Sequence, residues 1–167
     1  MSNWQKTVLE QGFPEPCILS VDESCRVTLP LSLSKRTGWI SGEQSHNGWL
    51  LMGNSGRCRL FSAVEVDSDP DLQSLRARIS AELGASNRNS LEFQDEVFAA
   101  LVLRLSPVEV KPRGPGWRVA LPRYIAAIMQ IRPNESEVAA LFLQGHIELW
   151  TIETLRSAVA PPLTRIL

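Results

Sequence analysis

Two matching stretches decide the fold: Arg26-Val27-Thr28-Leu29-Pro30 and, later in the chain, Arg118-Val119-Ala120-Leu121-Pro122. Each alternates polar and apolar residues, as a half-buried β-strand does, and each ends at a proline, which removes a ladder donor and closes the strand. A second pair follows in the same order: Gly56-Arg57-Cys58-Arg59-Leu60-Phe61 and Gly145-His146-Ile147-Glu148-Leu149-Trp150. Two matched pairs in the same order indicate an internal duplication.

Around these stretches, each copy predicts the same series of elements: a strand, a turn, the strand that ends in Leu-Pro, a short helix and a β-hairpin. In copy one the first strand, the helix and the two hairpin strands are predicted at 17–21, 31–37, 49–52 and 58–61. In copy two they are predicted at 108–111, 123–130, 138–143 and 147–150. The fold class is therefore α+β, mostly β.

The segment between the copies predicts two helices. Asp69 is a good N-cap with Pro70 at the first helical position, and apolar residues follow at helical spacing to Leu83. Ser90 caps the second predicted helix, which Pro107 ends. The predicted division of the chain is an N-terminal arm (1–16), a first β module (17–66), a helical connector (67–106), a second β module (107–160) and a C-terminal tail (161–167).

The composition is that of an ordinary globular protein. Of 167 residues 44% are hydrophobic and 21% are charged, and the formal net charge is −1. No run reaches the roughly 18 apolar residues of a membrane span, and the N-terminus lacks the apolar core of a signal peptide. We therefore expect a cytoplasmic protein with no membrane partner. Acidic residues are concentrated in 67–105, which leaves the two β-rich parts neutral to basic.

The chain offers no pattern typical of a metal site or a catalytic centre. Cys17, Cys25 and Cys58 are an odd set without paired spacing, and His46 and His146 lie far apart. No nucleophile-elbow, zinc-protease, phosphate-loop or dinucleotide motif is present. We expect no disulfide, no metal, no cofactor and no enzymatic activity.

The order of elements resembles the MraZ family, within the wider AbrB- and SpoVT-like swapped-hairpin group, over residues 17–160. That family places an Asp and an Arg four apart just before the Leu-Pro strand, as Asp22 and Arg26 stand here, and it usually has Gly where this chain has Cys25. The stretch 147–150 is similar to the close of the family's second copy. The resemblance implies two tandem swapped-hairpin modules joined by a two-helix connector. It also implies a nucleoid-associated, homo-oligomeric regulator that binds double-stranded DNA.

DNA binding requires Lys and Arg side chains that meet phosphates and base edges. The loop 111–116 is basic and carries prolines that stiffen it, and an exposed arginine there, Arg113, has no packing duty and is the best single candidate. The predicted DNA-binding residues are Arg26, Lys35 and Arg36 in copy one and Lys111, Arg113, Arg118 and Arg123 in copy two.

Each candidate also has a purely structural interpretation. Asp22 and Arg26 are close enough across a tight turn to pair with each other, which we favour for Asp22 and weigh evenly against DNA contact for Arg26. Lys35 and Arg36 fit a solvated helix face at least as well as a DNA contact. The alternative for the whole protein is an interaction module without DNA binding that holds another protein. The near-zero net charge and two tryptophans expected to be exposed, Trp4 and Trp117, favour that alternative.

Overall fold

The computed structural model of the protein describes residues 3–53, 56–86 and 105–159. The elements of copy one are β1 (Cys17–Ser20), β2 (Arg26–Leu29), α2 (Leu31–Ser34, continued by a 3-10 helix Lys35–Thr37), β3 (His46–Met52), β4 (Arg57–Ser62) and α3 (Ala63–Ser68). Those of copy two are β5 (Leu105–Arg113), β6 (Gly116–Ala120), α5 (Arg123–Ile128), β7 (Glu137–Leu143), β8 (His146–Thr151) and α6 (Ile152–Ala158). Helix α1 (Asn3–Glu10) precedes copy one, and α4 (Pro70–Ser86) follows it. The predicted fold class, α+β and mostly β, is confirmed.

All eight described strands form one antiparallel sheet in the order β1-β7-β8-β4-β3-β5-β6-β2. The first strand of each copy pairs with the third strand of the other copy, as β1 with β7 and β5 with β3. The second strands pair with each other, and so do the fourth strands. The edge strands β1 and β2 approach one another, which nearly closes the sheet into a barrel.

The strand register reveals a pseudo-twofold axis. Val27 stands opposite Val119, and Arg59 stands opposite Glu148. Each of these pairs joins residues at matched positions of the two copies, which is possible only where a twofold axis passes between them. In the nearly closed barrel, the β2–β6 pair lies across from the β4–β8 pair. The axis therefore runs through the barrel from one pair to the other.

The main core fills the barrel. Alternate residues of the strands point inward, among them Val27, Leu50, Leu60, Val110 and Val119, each at most 3% exposed. Helices α2 and α5 add Leu33 and Ile125 to the same cluster. Burial of this apolar surface is the main stabilising term of the fold.

Helices cover two patches of the barrel's outer face. Val66 of α3 and Leu72 of α4 pack on the outer side of β3 and β5, while Val8 of α1 and Leu155 of α6 pack on β7 and β8. A capping box starts α3, where the Ser62 side chain accepts a hydrogen bond from the Glu65 N–H and the Glu65 side chain accepts one from the Ser62 N–H. Strand β7 is buried on both faces, which explains its continuous apolar run. No described helix is long and apolar enough to cross a membrane.

Three predictions about local structure differ from the structure. Part of the predicted N-terminal arm is helix α1, whose Val8 is fully buried and whose Trp4 packs on the same cluster. Strand β5 begins at Leu105, so Pro107 lies in a strand and does not end a helix. At Pro107, β5 pairs only with β3, and a missing N–H is harmless on an edge. Trp117 is 4% exposed because its side chain enters the barrel.

The connector is described in its first half. Helix α4 begins at Pro70, as predicted, and the Asp69 carboxylate accepts a hydrogen bond from the Asp71 N–H at 2.9 Å. The second predicted helix begins at Ser90, and its residues up to 104 lie outside the described residues. The last apolar residue predicted for that helix, Leu105, begins β5.

Candidate nucleic-acid interface

One side of the barrel wall, which we call the bare side, carries no apolar cluster on its outer face in the described part of the chain. In 3–53, 56–86 and 105–159, neither outer apolar cluster includes a residue of β2 or β6. Val27, Leu29, Trp117 and Val119 point into the barrel, so the residues between them point outward. Four of the predicted DNA-binding residues meet on this side, and we call them the basic face: Arg26, Lys111, Arg113 and Arg118.

The register shows how closely the four cations stand. Arg118 is directly opposite Thr28 on β2 and directly opposite Lys111 on β5. Arg26 is opposite Ala120, which places it diagonally from Arg118 on the same face. Diagonal neighbours of this kind lie about 7–8 Å apart, within reach of long side chains. Arg113 ends β5 opposite Gly116, so three neighbouring strands contribute to one positive surface.

At the copy-one end of this face, Asp22 holds Arg26. One carboxylate oxygen accepts the Ser24 and Arg26 N–H groups at 2.9 Å, and the other accepts the Arg26 Nε–H at 2.8 Å. Burial of the carboxylate acts in the opposite direction, but the hydrogen bonds from Arg26 and Ser24 hold the pKa of Asp22 below its usual value. The pair that we expected between Asp22 and Arg26 across the tight turn is present. Cys25 in the same turn has a left-handed φ of 59°.

At the copy-two end the predicted basic loop is mostly strand. Lys111 and Arg113 belong to β5, and only Gly114 and Pro115 connect β5 to β6, with Gly114 at φ 56°. The hairpin is tight because glycine adopts a positive φ without strain. Lys111 is 3.6 Å from Glu109, but it also faces Arg118 directly. Like charges in directly opposite positions repel each other, so a bound anion would relieve this pair.

Of the three remaining predicted DNA-binding residues, two lie at the ends of the basic face and the third lies beside β7. Lys35 lines a cleft of about 220 Å³ together with Gly114 and Pro115, at the copy-two end. Arg123 begins α5 two residues after Leu121, whose N–H donates to the Cys25 carbonyl, at the copy-one end. The Arg36 guanidinium lies 4.6 Å from the centre of the Phe142 ring on β7, so Arg36 does not belong to the basic face.

On the opposite side of the barrel lies a partly buried ion pair that the sequence did not lead us to expect, with the Arg59 side chain 32% exposed. Arg59 Nε donates to a carboxylate oxygen of Glu148 at 2.9 Å, and the Trp150 Nε1–H donates to the other oxygen at 3.1 Å. The Glu148 side chain is only 4% exposed. The second matched pair of motifs contains an indication of this ion pair, because Arg59 and Glu148 occupy equivalent positions and carry opposite charges.

The cysteine thiols do not form a reactive group. Burial, with a contribution from Glu148, raises the pKa of Cys58 to about 12, and burial also raises the pKa of Cys17 and Cys25. A thiol with a raised pKa stays protonated at neutral pH, so it is a weak nucleophile and a weak metal ligand. In the described residues, no three His, Cys, Asp or Glu side chains are placed to hold a metal ion.

No family model and no curated protein matches the sequence. The interpretation of the basic face therefore depends on the chain's own geometry and charge.

Proposed function

We propose that the chain is a regulator that binds double-stranded DNA through the basic face and acts as a homo-oligomer. The observation that supports this is the meeting of Arg26, Lys111, Arg113 and Arg118 on one bare side of three adjacent strands. A two-stranded β-ribbon fits the major groove of DNA, and cations along its rim meet phosphates. We further propose the swapped-hairpin type of fold, since the first strand of each copy pairs within the other copy.

The two kinds of arginine on the face suit different contacts. Arg26 is fixed through Nε by Asp22, and a guanidinium held in place loses little entropy when its remaining N–H groups bind a base edge. Lys111, Arg113 and Arg118 have less compensation from carboxylates and suit phosphate contacts. Several copies of such a face in one homo-oligomer combine weak contacts by avidity.

A second candidate function is a protein-binding module on the same fold. Leu31 and Tyr124 are 40% and 44% exposed at the starts of α2 and α5, the helices that follow β2 and β6. Exposed large apolar side chains beside a charged surface are typical of protein interfaces. Trp117, which we expected to be exposed to a partner protein, is buried and does not favour this function.

The test is fluorescence anisotropy with a labelled duplex from upstream of the gene, titrated at several salt concentrations beside a scrambled duplex. We expect tighter binding to the native duplex, with an affinity that falls as salt rises because phosphate contacts release counterions. The matched control is R156E, which changes an exposed arginine on α6 away from the face. Absence of binding at low salt would reject DNA binding in favour of the protein-binding module.

A further inference from the structure

The β4–β8 junction, which we call the seam, carries three outward rungs around the pseudo-twofold axis. The central rung joins Arg59 to Glu148 and lies on the axis itself. The axis exchanges the two flanking rungs, because it relates Arg57 to His146 and Phe61 to Trp150. In order, Arg57 pairs with Trp150 and Arg59 pairs with Glu148, and the third rung is the ring contact of Phe61 with His146 just beyond the paired residues.

The flanking rungs are alike in their stacking on an aromatic ring, although His146 Nε2 also contacts a carboxylate oxygen of Glu65. The Arg57 guanidinium lies 5.0 Å from the centre of the Trp150 ring, and the His146 ring lies 4.7 Å from the Phe61 ring. Each copy therefore presents a basic or imidazole side chain at one end of its seam strand and an aromatic ring at the other. If two first copies or two second copies paired, the flanking rungs would still match.

The central rung differs in this respect. A residue on a twofold axis meets its own equivalent when two identical copies pair. Two first copies would set Arg59 against a second Arg59, and two second copies would set Glu148 against a second Glu148. Glu148 is 4% exposed and is held by Arg59, with Gln144 as a further partner of that arginine at 3.4 Å. Like charges at so buried a place lose the ion pair and keep the cost of desolvation.

We infer that the Arg59–Glu148 rung selects the partner of each copy, so that a copy pairs with the opposite copy and rejects its own kind. The opposite copy is normally supplied by the same chain. Because the connector between the copies is long, a second chain also supplies it if the two chains exchange copies. Selection by a buried charge that penalises wrong partners is an attested use of such pairs. This inference does not depend on DNA binding.

The test uses two charge reversals, Arg59→Glu and Glu148→Arg, which leave each chain with like charges on the rung. Because Glu148 is 4% exposed while Arg59 is 32% exposed, we expect loss of the pair to lower the melting temperature by about 5 °C. When the two variants are co-expressed with different tags, however, copy one of each chain is complementary to copy two of the other. We expect chains captured through both tags to recover most of the lost melting temperature by exchanging copies. If the single variants are insoluble, co-expression is expected to return both to the soluble fraction.

Three controls make the result decisive. The double variant R59E/E148R restores the pair within one chain and is expected to melt near the wild type. The exposed reversals R156E and E153R on α6 change the same charges away from the seam and are expected to have little effect. Failure of co-expression to restore stability, while the double variant is restored, would overturn the inference and leave the pair a local contact. Failure of the double variant would also overturn it, because the rung would then not respond to charge complementarity.

Discussion

The two ends of the basic face come from equivalent parts of the two copies, yet they are built differently. At the copy-one end, Asp22 binds Arg26 directly, and a second acidic residue, Glu23, follows Asp22 in the same turn. The copy-two end carries four cations, Lys35, Lys111, Arg113 and Arg118. The carboxylate that β5 contributes near them is that of Glu109. One end holds a fixed, compensated arginine, and the other concentrates positive charge.

This difference shows what a duplication within one chain allows. A homodimer of identical chains must present two identical ends, whereas two covalently joined copies diverge independently. The same divergence explains the seam, where matched positions carry Arg59 and Glu148. If the chain binds DNA as proposed, we expect the copy-two end to supply most of the attraction to phosphates.

The largest expected effect concerns the residues just before the two matched arginines. Trp117 precedes Arg118 and is buried in the barrel, whereas Cys25 precedes Arg26 and is only partly buried. We expect W117A to lower the free energy of unfolding by about 3–5 kcal/mol through the cavity it leaves, and C25A by about 1 kcal/mol or less. Urea unfolding of both variants measures this difference. Equal losses would mean that the two positions have the same structural role.

The next effect is on DNA affinity, and it compares the matched arginines. We expect R118Q to weaken binding about tenfold and to reduce the salt slope by about 1, as the loss of a phosphate contact does. On the scrambled duplex, where phosphates dominate the affinity, R26Q is expected to weaken binding by less than about threefold, since Asp22 already compensates Arg26. On the native duplex it is expected to remove a base contact worth about 1–3 kcal/mol. Anisotropy titrations at several salt concentrations measure both. On the scrambled duplex, a greater loss for R26Q than for R118Q would reverse the proposed roles of the two ends.

Asp22 makes the stability contributed by the copy-one end depend on pH. The pKa of Asp22 is lower in the folded protein than in the unfolded chain, so its stabilisation is present above the unfolded value of about 3.9. That stabilisation is lost as the pH falls through the folded pKa. We expect D22N to lower the melting temperature at pH 7 by about 2–4 °C, the shift that about 1 kcal/mol produces. The gap between wild type and D22N should narrow below about pH 4; a constant gap would contradict the ion pair.

The smallest effects concern the left-handed residues of the two turns. Cys25 and Gly114 have φ values of 59° and 56°, and nothing lies within 4 Å of a Cβ placed on Gly114. Because a side chain costs about 1–2 kcal/mol in this conformation and glycine flexibility costs about 0.5–1 kcal/mol, we expect C25G to gain about 0.5 kcal/mol. G114A should lose about 1 kcal/mol for the same reason. Chemical unfolding measures both, and a loss for C25G would show that thiol packing outweighs the backbone strain.

Much of the local structure could be predicted from periodicity. The strands that end in Leu-Pro, the hairpin strands and the start of α4 at Pro70 follow from alternation, turn residues and capping. The structure of residues 3–10 was not predicted, because a helix of eight residues is marginal by itself and α1 is stabilised by packing Val8 against β7 and β8. Strand β5 extends upstream of Pro107 because β3 pairs with it there.

The sequence by itself determined that the chain is duplicated, mostly β, and equipped with an Asp-Arg turn, because these features are expressed by residues a few positions apart. Only the tertiary structure decided that both copies share one sheet, that Arg26 and Arg118 lie on the same bare side, and that Arg59 meets Glu148. Those facts depend on which strands pair, and β-pairing joins residues that are distant in the chain through backbone hydrogen bonds that any sequence offers. The packed core favours the observed pairings, and we infer that the Arg59–Glu148 rung contributes to the choice among partners.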